Sequence, residues 1–267
     1  MKEIIINDWS EIFDLEINFP LDYFRGQSSA DWDITSSLQR LLKGTDYEED
    51  PSNTEFWLLR DFKRGAGLYL NDLPAESDLV SWLSLMQHYG APTRLIDFTQ
   101  SFYVACYFAL SGAEDDAAVW AIDPFLTFDI AKKVFKVSLS GLRDEWDDLS
   151  TKCGNEYLNK ILATAEKASH EEQSMGVIAI QPYKMHTRLS IQQGIFMMPL
   201  DIRSGLIENL EPFVGSEREQ IKKIILKKKV FSSALGHLKA MNITSESLFP
   251  GIEGFARSLA HKQVNKN

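Results

Sequence analysis

The most constraining feature of the sequence is a dense polar stretch, QHYGAPTRLIDFTQ at residues 87–100, followed directly by the apolar stretch SFYVACYFAL at residues 101–110. The second stretch would be apolar on nearly every side of a helix, which predicts a buried helix at the centre of the molecule. Polar side chains this dense between apolar segments are typical of either a tightly bonded turn or one wall of a binding site.

Composition limits the classes of protein to consider. At 267 residues the chain is long enough for one large domain or two small ones. Its formal net charge of −10 argues against broad nucleic-acid binding. Two cysteines, Cys106 and Cys153, are too few for a disulfide framework, and no motif indicates a metal site. No signal peptide or membrane-spanning stretch is expected, so the predicted compartment is the cytoplasm.

The pattern of apolar residues predicts an α+β fold. Residues 1–267 are interpreted as a single domain with a mixed, mainly antiparallel sheet packed with helices, and with a helical excursion at about 124–172. Predicted strands include EIIIN, YFRG, TRLID, AVWAI, VIAIQP, GIFMM and KIIL. Predicted helix N-caps are Thr35 or Ser36, Asn53 or Thr54, and Ser77, and Gly90 is predicted to end the third helix.

The first candidate site is the strand end YFRGQ. Arg25 offers a planar fork of donors suited to phosphate or carboxylate. Gly26 would let a ligand or another backbone come close, and Gln27 is a candidate ligand-binding neighbour. The alternative is that Arg25 pairs with an acid such as Asp97 and joins two loops.

The polar stretch supplies the second group of candidates. His88 is predicted at the end of a helix, where the helix dipole favours its protonated form. Around a predicted Arg94–Asp97 ion pair lie three further candidate ligand-binding residues: Tyr89, Thr93 and Thr99. A buried ion pair must be well hydrogen-bonded to persist, so this cluster is either a pocket wall or a structural network.

The third candidate is RLSIQQGIFMM, interpreted as an extended unit. On a strand, Gln192 and Gln193 would point to opposite faces, so at most one of them faces a pocket. Their amides suit recognition by hydrogen bonds, or else a polar bridge to the histidine turn. The lysine-rich IKKIILKKK is interpreted as the solvated face of an edge strand.

Four segments together resemble the FRG-domain family, which is named for a Phe-Arg-Gly triplet carried here by residues 24–26. The segments are YFRGQ, LMQHYGAPTRLIDFTQSFYVACYFA, RLSIQQGIF and NITSESLFPGIEGFA. The resemblance extends from about Asp22 nearly to the C-terminus, and the family's function is largely unassigned.

A weaker resemblance is to arginine-class ADP-ribosyltransferases, which carry a Tyr-Arg-Gly strand, a Ser-Thr-Ser strand before a helix, and a strand with a catalytic glutamate. This resemblance implies that Arg25 holds dinucleotide phosphates, that Thr99 supports the site, and that Gln193 stands where the glutamate would be. A neutral amide cannot stabilise a ribosyl cation as a carboxylate does. Either another acid such as Asp97 does the chemistry, or the site binds a nucleotide without transfer.

These observations predict a nucleotide pocket, with His88, Asp97 and Gln193 as candidate catalytic residues. No cofactor is required, and NAD is the expected substrate of an ADP-ribosyltransferase or NAD glycohydrolase. Such an enzyme would bind a small-molecule nucleotide, could modify a macromolecular target, and by analogy would suit a toxin or phage-defence effector. The alternative is a non-enzymatic interaction module whose polar cluster is a structural network.

Overall fold

The computed structural model describes residues 1–13, 15, 22–48, 50–137, 143–166, 174–215 and 219–264. Its strands are β1 (Lys2–Ile6), β2 (Tyr23–Gln27), β3 (Ile96–Thr99), β4 (Ala117–Ile122), β5 (Val177–Ile180), β6 (Gly194–Pro199) and β7 (Ile221–Leu226). They form one seven-stranded sheet in the order β1-β7-β4-β2-β3-β6-β5. β1 pairs with β7 in parallel and the other neighbours are antiparallel, which confirms the α+β class with a mixed, mainly antiparallel sheet.

Eleven α-helices lie in the described part of the chain. They are α1 (Ser37–Leu42), α2 (Pro51–Ala66), α3 (Leu79–His88), α4 (Phe102–Leu110), α5 (Pro124–Phe135), α6 (Arg143–Glu166), α7 (Thr187–Ile191), α8 (Leu206–Leu210), α9 (Phe231–Ala240), α10 (Ser245–Leu248) and α11 (Ile252–Val264). Helices α5 and α6 occupy the predicted excursion, of which residues 138–142 and 167–172 lie outside the described residues. No described helix has the length and hydropathy needed to cross a membrane.

Helix starts differ slightly from prediction. Ser36 caps α1 as predicted, by accepting a hydrogen bond from the Gln39 amide. Asp50 caps α2 in place of Asn53 or Thr54, because Pro51 at the first helical position suits an earlier start. Asp78 caps α3 in place of Ser77. An aspartate is as good an N-cap as a serine, so the neighbouring residue could not be excluded from sequence. Gly90, at φ +82°, lies just past the end of α3 as predicted.

Helix α4 is buried at the centre of the fold, as its apolar sequence predicts, and it packs on β2. The contact is so close that a Cβ atom on Gly26 would lie 2.0 Å from the Ala105 carbonyl oxygen and 2.5 Å from the Ala109 nitrogen. Gly26 is therefore needed for the approach of a backbone, one of its two predicted roles.

Two strand predictions are wrong. Residues 187–191 of the supposed extended unit form helix α7, with His186 as its N-cap, and β6 begins only at Gly194. β7 is an interior strand between β1 and β4, not an edge strand. Its lysines instead contact neighbouring side chains, with the Lys222 Nζ 3.8 Å from a carboxylate oxygen of Asp22.

The sheet opens between its fourth and fifth strands in spatial order, β2 and β3. β2 pairs with β4 over five residues, but its register with β3 contains the single pair Phe24–Thr99. Beyond that pair the two strands separate, and residues of both strands line the space between them. The candidate site lies at this opening.

Candidate functional site

A cavity of about 1180 Å³ lies at the opening between β2 and β3. Strand β2 contributes Arg25 and β3 contributes Asp97, while the ends of α3 and α7 contribute His88 and Gln192. The loop at residues 28–35, helix α1 and helix α8 complete the wall. The three sequence segments predicted to form a pocket therefore meet at one cavity.

Arg25 is one of the basic side chains that line this cavity. Its Nη1 donates a hydrogen bond of 2.5 Å to the backbone carbonyl of Asp97, so the predicted pairing with an acid is replaced by a contact with the main chain. Its Nε is buried and has no hydrogen-bond partner among the described residues. Burial lowers the pKa of the guanidinium, yet arginine stays charged in proteins. An unpaired buried donor on a cation is costly, and it is a group that an anion can satisfy.

Asp97 supplies an exposed carboxylate to the same cavity. Gln87 orients it, because the Gln87 Nε2 donates to the carboxylate at 2.9 Å. The buried Thr93 in turn donates its hydroxyl to the Gln87 Oε1 at 2.6 Å. Thr93 therefore acts behind the cavity wall as a positioning residue, not as a ligand contact.

The predicted Arg94–Asp97 ion pair is wrong. Arg94 is fully buried and pairs with the equally buried Glu55 of α2, with Nε–oxygen distances of 2.8 and 3.0 Å. Its Nη1 also donates to the carbonyls of Pro199 and Leu200, at 3.3 Å each. Because all these partners are internal, Arg94 belongs to a structural network away from the cavity.

Two histidines lie together on the cavity wall, with ring centroids 4.1 Å apart: His88 and His186. Burial lowers the pKa of His88, and nearby Arg188 lowers it further, which opposes the predicted effect of the helix dipole. Burial, His88 and Arg188 together lower the pKa of His186 to about 4. The His186 Nδ1 accepts a hydrogen bond from the Leu189 amide, so its neutral ring carries the proton on Nε2.

We expect the histidine pair to make the protein less stable in mild acid. A folded-state pKa of about 4, below the ordinary 6.5, means that the unfolded chain binds a proton between these values while the fold does not. Stability is therefore lost as pH falls from 6.5 towards 4, by about 1 kcal/mol after allowance for solvent at the half-buried ring. Thermal melts at pH 7.5 and 5.0 measure this, and His186→Asn, which keeps an N-cap, should lose less. Equal losses in both proteins would contradict the assignment.

Gly26 and Gln27 line the cavity but serve the fold. The Gln27 side chain is occupied, since its Oε1 accepts from the Trp120 Nε1 at 2.6 Å and its Nε2 donates to the Asp33 carbonyl at 3.0 Å. These bonds hold the loop at residues 28–35 against the sheet. The predicted ligand contact by the Gln27 amide is therefore replaced by loop anchoring.

Of the two adjacent glutamines, Gln192 lies in the cavity wall and Gln193 lies on the protein surface. Gln192 lines the cavity, while its Nε2 donates to the Leu248 carbonyl and its own carbonyl accepts from the Thr99 hydroxyl. Gln193 is exposed in a left-handed conformation with φ 49°, and it does not line the cavity. Because helix α7 precedes it, the predicted alternation of faces does not apply. Tyr89 is 58% exposed and likewise lies outside the cavity lining.

Several cavity residues were not singled out from the sequence. They are Trp32 and Asp33 of the loop, Arg40 of α1, and His186 and Arg188 of α7. Arg188 lies 4.6 Å from the ring centre of Phe249, which ties the segment before α11 to the cavity wall. The exposure of Trp32 is known only from the structure, so no sequence pattern pointed to it.

Within the described ranges, no group of three or more His, Cys, Asp or Glu side chains is arranged to hold a metal ion.

The family model of the FRG domain matches residues 22–118. This segment contains β2, helices α1–α4, β3 and the start of β4, and hence Arg25, His88 and Asp97. It does not reach Gln192 or the closing segment, which the sequence resemblance had included. No curated protein and no solved structure matches the chain. No comparison returns an ADP-ribosyltransferase, so that resemblance stays a prediction.

Proposed function

We propose that this FRG-domain protein binds a phosphorylated nucleotide of about the size of NAD, with the phosphates at Arg25. The observation that carries the proposal is the buried, unpartnered Nε of Arg25, a residue that lines a cavity of about 1180 Å³. Guanidinium groups suit phosphate because their donors match its oxygens in pairs. The volume is at or above the range of pockets that enclose drug-sized ligands, so a dinucleotide is a reasonable occupant.

The surrounding charges support this assignment. Arg40 and Lys43 of the α1 region and Arg188 of α7 line the same cavity, so the charge of a pyrophosphate would meet several cations. The cavity lining contains as many basic as acidic side chains, five of each, whereas the whole chain has a net charge of −10. A cytoplasmic location is part of the proposal, and it suits the two cysteines, which are free and buried.

A second candidate function is cleavage of the nicotinamide–ribose bond of NAD, favoured by the carboxylate of Asp97. In this reaction the C1′–N bond breaks with its electron pair leaving on nicotinamide. Water or a side chain of a macromolecular target then adds to C1′ and loses a proton. The carboxylate, oriented by Gln87 and facing the same cavity as Arg25, would stabilise the ribosyl cation. Asp97 would thus take the role for which the exposed Gln193 is misplaced.

We expect NAD to raise the melting temperature of the protein, and Arg25→Ala to abolish the rise. At a hundred times its Kd, a ligand that binds only the folded state adds about 2.7 kcal/mol, or roughly 5–10 °C for a chain of this size. Removing the Arg25 guanidinium removes the principal phosphate donor. The measurement is a thermal melt with and without NAD, while chromatography of the same samples follows free nicotinamide.

Arg60→Ala is the matched control, since Arg60 stacks on Trp57 outside the cavity. It should melt and respond to NAD like the wild type. Release of nicotinamide that Asp97→Asn abolishes, with binding retained, would establish the second candidate. An NAD response that survives Arg25→Ala would overturn the phosphate assignment.

A further inference from the structure

Trp32 is an exposed aromatic side chain at the cavity. It is 57% exposed and it lines the cavity that contains Arg25. Tryptophan is usually well buried, so leaving so much of an indole in water forgoes a large gain from apolar burial. A ligand that covers the indole would recover that gain.

The loop that carries Trp32 is fixed on both sides of it. The Ala30 amide donates to the Asp116 carbonyl at 2.8 Å, and the Gln27 Nε2 donates to the Asp33 carbonyl at 3.0 Å. The Leu206 amide donates to the Ile34 carbonyl at 2.9 Å. Because the loop is already ordered, placing a ligand against the indole costs little conformational entropy.

The indole of Trp32 is available for stacking. Among the described residues it takes part in no ring–ring or cation–ring pair, whereas the guanidinium of Arg60 lies 4.4 Å from the ring centre of Trp57. A nucleobase is a flat ring, and every base can stack on an aromatic side chain, whichever polar groups it carries at its edges.

The charged side chains next to Trp32 in the sequence are acidic. Asp31 and Asp33, both exposed, flank Trp32 and line the cavity beside it. Their carboxylates repel phosphate but can accept hydrogen bonds from an exocyclic amino group such as that of adenine. Arg25 and Arg40 attract the phosphates instead.

We propose that Trp32 is the stacking surface for the base of the bound nucleotide, with the base at Trp32 and the phosphates at Arg25. The inference rests on the proposed function and adds a base-binding subsite to it. It also assigns the ligand class as nucleotides that carry an amino-substituted base.

The test compares two probes in equilibrium binding by calorimetry: ADP-ribose, which has a base, and ribose 5-phosphate, which has none. We expect Trp32→Ala to raise the Kd of ADP-ribose about tenfold and to leave that of ribose 5-phosphate, measured by competition, unchanged. Trp32→Phe, which keeps a ring, should restore most of the affinity. Trp57→Ala removes another partly exposed tryptophan outside the cavity and should change neither Kd.

The outcomes separate the two proposals. If Arg25→Ala weakens ADP-ribose and Trp32→Ala does not, the stacking inference is wrong and the phosphate site stands. Equal weakening of both probes by Trp32→Ala would mean that the indole supports the loop and not the base, which also overturns the inference. If ADP-ribose does not bind the wild type, both proposals fail.

Discussion

Glu55→Gln is expected to lower the free energy of unfolding by about 3–5 kcal/mol, because it leaves the guanidinium of Arg94 buried without a counter-charge. Both side chains of the pair are completely shielded from solvent. A loss of this size is a large part of the total stability of a typical domain. Denaturant titration followed by circular dichroism measures it.

Two control variants test whether the loss comes from the unpaired buried charge. The double variant Glu55→Leu with Arg94→Met removes both charges and should recover most of the loss, since apolar replacement of a buried pair is often close to neutral. Asp72→Asn breaks the Lys184–Asp72 pair, which is 2.8 Å long but 70–82% exposed, and should cost less than about 1 kcal/mol. A Glu55→Gln protein as stable as the wild type would show that Arg94 is not held as described.

Gly26→Ala is expected to prevent folding or to cost more than about 4 kcal/mol. The added methyl group would lie 2.0 Å from the Ala105 carbonyl oxygen. The three atoms nearest to it all belong to the backbone of α4, which cannot turn aside as a flexible side chain can. Soluble yield and a thermal melt measure the effect.

Gly236→Ala is the matched control for this substitution. Gly236 lies within α9, and a Cβ atom there meets nothing within 4 Å among the described residues. The variant should be more stable by about 0.5–1 kcal/mol, since alanine favours a helix over glycine. If Gly26→Ala instead melts normally and loses only nucleotide binding, Gly26 serves the approach of a ligand and not the packing of α4.

Apolar patterns within short segments of the sequence correctly predicted several helices and strands. The apolar run at residues 101–110 can remove its apolar surface from water only inside the protein, and α4 is indeed central. The same reasoning found β4 and β5 from their apolar composition. It also predicted that the segments containing Arg25, His88 and Gln192 would come together, and these three residues line one cavity.

The features that were not predicted depend on contacts between residues far apart in the sequence. The partner of Arg94 is Glu55, 39 positions earlier in the sequence, and no spacing rule connects the two. β7 is an interior strand because β1 pairs with it in parallel, a choice made by tertiary packing. Helix α7 precedes Gln193 and places it outside the cavity. The helix was not predicted, because five residues are too few to show a helical periodicity in the sequence.

The most direct test of the central claim is an experimental structure of the protein with bound ADP-ribose. We expect a phosphate oxygen within hydrogen-bond distance of the Arg25 Nε, which has no partner among the described residues of the free protein. Density for the ligand at the opening between β2 and β3 with its phosphates at Arg25 would establish the site. A bound ligand whose phosphates lie elsewhere, with the Nε still unpaired, would contradict the account.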